Sequence, residues 1–156
     1  MFVYSVQSRH IKTAFLGIFA VLTIVSLFVL SRQSEQTAKN GEITISASTH
    51  EERMRFISQF GWQVDEEPLE IVEIIIPTEF DDTYSLYNQM QKEQGFDLAE
   101  YAGSRVKRWT YLVKNYEGYE NDQCIHANIL VFDDVVIGGD ICSVEVDGFM
   151  HGFSKP

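Results

Sequence analysis

The side chains that could do chemistry lie in the last third of the sequence: Cys124, His126, Asp140, Cys142, Asp147 and His151. Cys124 and Cys142 are the only cysteines. Each falls on one strand of what reads as a hairpin turned at Asp133-Asp134, and pairing across that turn sets Cys124 near Ser143, about one residue from facing Cys142. Outside the cytoplasm that spacing allows a disulfide. The alternative is two free thiols buried as small apolar groups, because one slipped residue moves a side chain to the other face of the sheet. A nucleophilic thiol served by His126 or His151 needs a base and an orienting group, and no spacing here supplies both. His126 and His151 with Asp140 and Asp147 form the one cluster that could ligate a metal. Their separations follow no zinc pattern, and the acids do not alternate as a calcium loop requires. With no triad, no framed carboxylate pair and no metal motif, no catalytic, cofactor-binding or metal residue is assigned, and the expectation is a non-enzyme without a cofactor.

Other clusters have plainer readings. Gly138-Gly139-Asp140 resembles a phosphate loop only until one notes that no helix follows it; a glycine pair inside a strand marks a β-bulge. Arg105, Lys107 and Arg108, interleaved with Trp109 and Tyr111, are expected to pair with acids on neighbouring strands. The eight acids between Asp65 and Asp82 read as solubilising charge around a strand. In Asp147-Gly-Phe149-Met150-His-Gly-Phe153, large apolar residues alternate with glycine after a finished strand. The segment either folds back to cap the core or stays exposed for docking; capping is expected of Phe149 and exposure of Phe153, nearer the chain end.

The elements that must hold these residues are legible from periodicity. Thr49-x-x-Glu52 is a capping box, followed by an apolar stripe of Met54, Ile57 and Phe60 with Phe56 beside it, and Gly61 is placed to stop the helix. Leu69–Ile76 is β-branched, ends at Pro77 and reads as a strand whose doubled apolar positions imply burial on both faces near its end. A second helix starts near Asp81, carries Phe80, Tyr84 and Tyr87 at helical spacing and closes at Gly95. Phe96–Tyr101 is one short helical turn. Strands follow at Val106–Asn115, Cys124–Phe132 and Val135–Val146, with turns at Glu117-Gly118 and Asp133-Asp134. The fold class is α+β: a small antiparallel meander sheet packed by one or two helices on one face.

Ahead of this domain, Thr13 to Leu30 is an unbroken apolar run bracketed by Lys12 and Arg32. As a helix it would reach roughly 27 Å, close to the hydrocarbon thickness of a bilayer. It reads as a single transmembrane signal anchor, the rival being a cleaved signal peptide; the run exceeds the usual ~7–15 apolar residues of the latter and lacks a polar region before a cut. Residues 1–12 are then a cytoplasmic tail, 13–30 the anchor, 31–48 a polar linker and 49–156 an extracytoplasmic domain. From Gly41 onward 8 basic residues stand against 22 acidic ones, a net of −14, whereas residues 1–40 sum to +3. So acidic a domain excludes nucleic acid as a partner and is repelled by an anionic leaflet, which supports a cytoplasmic N-terminus with the domain outside.

The stretches EERMRFISQFGWQV, IPTEFDDTYSLYNQMQKEQGFDL, YAGSRVKRWTYLV and VIGGDICSVEVDGFMHGF together resemble the domain of unknown function 4830 family over nearly all of residues 50–153. The resemblance implies membrane-anchored or secreted bacterial proteins, chiefly of Gram-positive lineages. It implies no activity, cofactor or site residue. The functional expectation is a non-catalytic module that is held at the membrane by residues 13–30 and binds a protein or another cell-envelope partner. An accessory domain that holds or acts on a cell-wall component is the alternative, with an enzyme a distant third.

Overall fold

A computed structural model describes residues 43–120 and 122–156. The apolar run at 13–30, the tail before it and residues 31–42 of the linker lie outside the described residues. Among the described residues no helix is long and apolar enough to cross a membrane. Ile43–Pro156 forms one compact unit.

Helix α1, His50–Ser58, starts at the capping box read from the sequence: the Thr49 hydroxyl accepts from Glu52 N at 3.2 Å, and the Glu52 carboxylate accepts from Thr49 N at 3.3 Å and Ser48 N at 2.8 Å. Gly61, at φ +83°, turns the chain out of the helical direction. Strand β1 spans Glu70–Ile75, and helix α2 spans Asp82–Glu93 with Asp81 as its cap. A 3-10 turn at Leu98–Tyr101 leads into β2, Arg105–Leu112. Strands β3, Ile125–Phe132, and β4, Val135–Ser143, are joined by Asp133-Asp134 at φ +45° and +64°, the left-handed pair that a two-residue hairpin needs. The two-residue β5, Met150–His151, completes a five-stranded antiparallel meander in the order β1-β2-β3-β4-β5.

The fold is α+β, as the periodicities require, but the two helices lie on opposite faces of the sheet rather than on one. On one face α1 brings Phe56 and Ile57 against Tyr111, Ala127, Ile129 and Ile141. On the other, Leu98 and the partly buried Tyr84 and Tyr87 of α2 cover Val106, Leu130 and Ile137. The cause lies in the central strands, where Ile129, Leu130 and Val131 are all buried and a single layer would leave half of them in water. Two-sided burial therefore belongs to β3. The reading of β1 as buried on both faces is overturned: it is an edge strand, and Ile71 and Ile75 are 50% and 57% exposed.

The domain also reaches further towards the N-terminus than Thr49. Ser46 bridges to Val135, Ala47 N donates to Asp134 O at 2.8 Å, and Ala47 is buried in the α1-side core. The β-bulge sits just before the glycine pair: Leu130 faces Gly138 but Val131 faces Val136, which leaves Ile137 as the extra residue. A side chain at Gly139 would collide with Asn128 O and, at 2.5 Å, with the Phe153 ring.

Candidate functional site

The α2-side face of the sheet carries a polar row built by register. Glu70 faces Thr110, Thr110 faces Asn128, and Asn128 faces Asp140. Thr110 Oγ1 donates to Asn128 Oδ1 at 2.7 Å, Asn128 Nδ2 donates to Asp140 Oδ2 at 2.9 Å, and the Tyr87 hydroxyl of α2 donates to Asp140 Oδ1 at 2.9 Å. Burial raises the Asp140 carboxyl above its usual range, against the pull of the Asn128 and Tyr87 hydrogen bonds. Burial and the Asp140 charge lift the Tyr87 hydroxyl well above its own range. Cys142, which also receives Asn128 Nδ2 at 3.4 Å, is pushed up to about 12 by burial and then by Asp140. That thiol is protonated at neutral pH and is a poor nucleophile. Thr110, Asn128, Asp140 and Tyr87 spend these groups on one another, Glu70 is taken by Arg108, and the row fastens α2 to the sheet.

The residues weighed for metal ligation are not brought together. His126 faces Cys142 on the α2 side of the sheet, whereas His151 pairs with Ile141 on the α1 side, and Asp147 sits in a turn at φ +63°. Burial lowers the His126 pKa. Among the described residues, no group of three or more His, Cys, Asp or Glu converges as metal ligands do. Both cysteines are free thiols. The bulge shifts the register so that Cys142 opposes His126, while the Cys124 carbonyl accepts from Val144 N at 2.8 Å. Arg105 and Arg108 pair across to Glu73 and Glu70 at 2.6 and 2.7 Å, as expected of a basic cluster in an acidic sheet. Trp109 takes the Arg53 guanidinium over its ring at 3.7 Å.

The C-terminal segment divides its three apolar residues differently from the expectation. Phe153, expected to be exposed, is fully buried. Its main chain is pinned at both ends of the residue: its carbonyl accepts from Trp62 Nε1 and its amide donates to Gln94 Oε1, each at 2.6 Å. Proximity to the terminus is thus outweighed by a packed aromatic group. Phe149 is half-buried in a stack with Tyr116 and His151, and Met150 is 53% exposed.

Among the described residues, the outer edge of β1 is left facing solvent. Ile76 N donates to Ser104 O at 2.9 Å, so by the alternation of an antiparallel ladder the even-numbered residues of β1 turn their amides and carbonyls towards β2. Those of Ile71, Glu73 and Ile75 point away from the sheet. Ile71 and Ile75 share the α1-side face at this edge, and the short α1 does not reach them; Leu69, just ahead of the strand, donates its amide to Thr110 O at 2.8 Å and is 53% exposed. At the start of β1 lies an open cleft of about 850 Å³ lined by Asp65, Glu66, Glu67, Pro68, Leu69 and Lys114. The sequence signal for this edge was Pro77 directly after an apolar run, together with Glu70 and Glu73 inside it; acids within a strand blunt an edge and rarely sit in a central strand.

The sequence profile of the domain of unknown function 4830 family matches residues 56–141 of the 156-residue chain. The chain belongs to that family. No curated protein and no solved structure matches it. The matched span of this DUF4830 chain runs from α1 into β4, and so includes β1 and the whole polar row, and leaves out Phe149 and Phe153.

Proposed function

We propose that this chain is a non-catalytic binding module that docks a protein partner along the open edge of β1. The anchor at residues 13–30 would hold it at a membrane with the domain outside the cytoplasm. The observation that carries the reading is a strand edge whose backbone groups at Ile71, Glu73 and Ile75 are unpaired among the described residues, beside the half-exposed side chains of Ile71 and Ile75. Edges of this kind are managed by proteins that have no use for them: they are shortened, capped or covered. At the other side of the sheet that management is visible, since Ile45–Ala47, the side chains of Gln91 and Gln94, and β5 all bond the outer edge of β4. Among the described residues, β1 has only its acids. Strand addition to such an edge draws affinity from main-chain hydrogen bonds and specificity from alternate side chains.

A photo-crosslinking amino acid placed at Ile71 should capture a protein partner in intact cells, and the same group at the exposed Leu86 of α2 should not. Equal capture at both positions, or none at Ile71, contradicts the docking role. Exposure of residues 49–156 to protease added outside intact spheroplasts tests the topology; protection of the domain contradicts it.

A further inference from the structure

Resting on the reading of β1 as the docking edge, we infer that its occupant is an extended segment of another protein that adds antiparallel to β1, sets apolar side chains beside Ile71 and Ile75, and carries basic residues just C-terminal to them. A second copy of this chain does not suit the edge. In an antiparallel pairing of β1 with itself that keeps like faces together, Glu70 or Glu73 meets either its own copy or an apolar side chain. The net −14 of each domain adds repulsion.

Direction follows from charge along the edge. At the start of β1 the cleft presents Glu66 and Glu67, while Asp65 is already paired with Lys114. Glu66 and Glu67 have no salt bridge among the described residues. At the far end, Arg105 and Lys107 of β2 stand beside Ile75 and Glu73 on the same face. Arg105 is held by Glu73, and Lys107 is exposed with no salt bridge among the described residues. The edge is therefore acidic where β1 begins, and the one basic side chain beside it without a salt bridge among the described residues, Lys107, stands further along, opposite Glu73. Every other pairing in the sheet is antiparallel, and an antiparallel newcomer brings its C-terminal end to Glu66 and Glu67.

The test uses the full chain in mild detergent and fluorescent synthetic peptides that share a core of alternating valine and threonine. One carries lysines after the core, one carries them before it, and one carries glutamates after it. The lysine-after peptide should bind about tenfold tighter than either of the others, a gap that high salt removes. Glu66→Lys with Glu67→Lys should abolish or reverse that preference. Ile71→Pro, which deletes an outward amide without touching the bonds to β2, should abolish binding of all three. Should that variant fail to fold, Ile71→Lys at the same half-exposed site must still weaken the lysine-after peptide. Equal binding of the three peptides, lost in Ile71→Pro, overturns the basic partner and leaves the docking edge standing. Binding that survives both Ile71 substitutions, or no binding of any peptide, overturns both.

Discussion

Phe153→Ala should destabilise the domain by about 3–5 kcal/mol, the cost of emptying a well-packed aromatic site. The ring is fully buried. It lies edge-on to Phe56 at 4.9 Å and 87°, stacks on Phe60 at 5.2 Å and meets Phe96 edge-on at 6.4 Å. Burying such a side chain is worth roughly 1.5–3 kcal/mol by transfer, and each aromatic pair adds ~0.5–1.5 kcal/mol. The bonds that pin the tail, to Trp62 and Gln94, use the main chain of Phe153 and survive the substitution, so the loss belongs to the ring. Urea unfolding followed by tryptophan fluorescence reads it directly. With a slope of about 1–3 kcal/mol per molar, the midpoint should fall by at least about 1 M. Met150→Ala, three residues away and half exposed, should stay within ~0.5 kcal/mol. If Phe153→Ala also moves stability by less than about 1 kcal/mol, the tail is not a core element.

Three further outcomes follow from the packing and the titrating groups. Gly139→Ala should cost about 1–3 kcal/mol or prevent folding, because the added carbon meets Asn128 O and the Phe153 ring; an unchanged melting temperature would refute the close approach. Hydrogen bonds from Ser48, Ser46 and the Thr49 amide lower the Glu52 carboxyl to about 2 from 4.5, so its stabilising effect is present above 4.5 and vanishes as pH falls through about 2. The gap in thermal stability between the native chain and Glu52→Gln should close over that range, and a gap that persists below it argues against the capping box. The Tyr87 hydroxyl is raised well above 10.0, so its contribution is intact below pH 10 and is lost as pH climbs past it, when only the unfolded chain ionises. Ultraviolet titration should show Tyr87 ionising only with unfolding; early ionisation would mean that the hydroxyl is not buried beside Asp140.

Much of the fold was legible because local signals agreed. The Thr49–Glu52 box, the Asp133-Asp134 turn and the closing Gly61 and Gly95 each have one cheap backbone solution. The layering was not legible from the same pattern. Short apolar runs such as IVEIII and NILVF look alike in sequence, and only neighbouring strands decide which is sandwiched and which is bare. β3 lies between β2 and β4 and is covered twice; β1 lies at the edge and is covered once. The bulge at Ile137 likewise moved Cys142 opposite His126, a shift no reading of the hairpin turn alone could supply. Phe153 shows the limit of arguing from chain position, since two main-chain bonds and three aromatic neighbours outweigh fraying. The open edge of β1 was half visible, in its acids and its proline.

Amide hydrogen exchange along β1 tests the central claim most directly. If the edge is open, the amides of Ile71, Glu73 and Ile75 exchange fast while those of Val72, Ile74 and Ile76 are slow, in strict alternation, and the fast set becomes protected when the lysine-after peptide binds. Uniform slow exchange of all six in the free chain would mean that the edge is already occupied, and uniform fast exchange that the strand does not form; either would contradict the account.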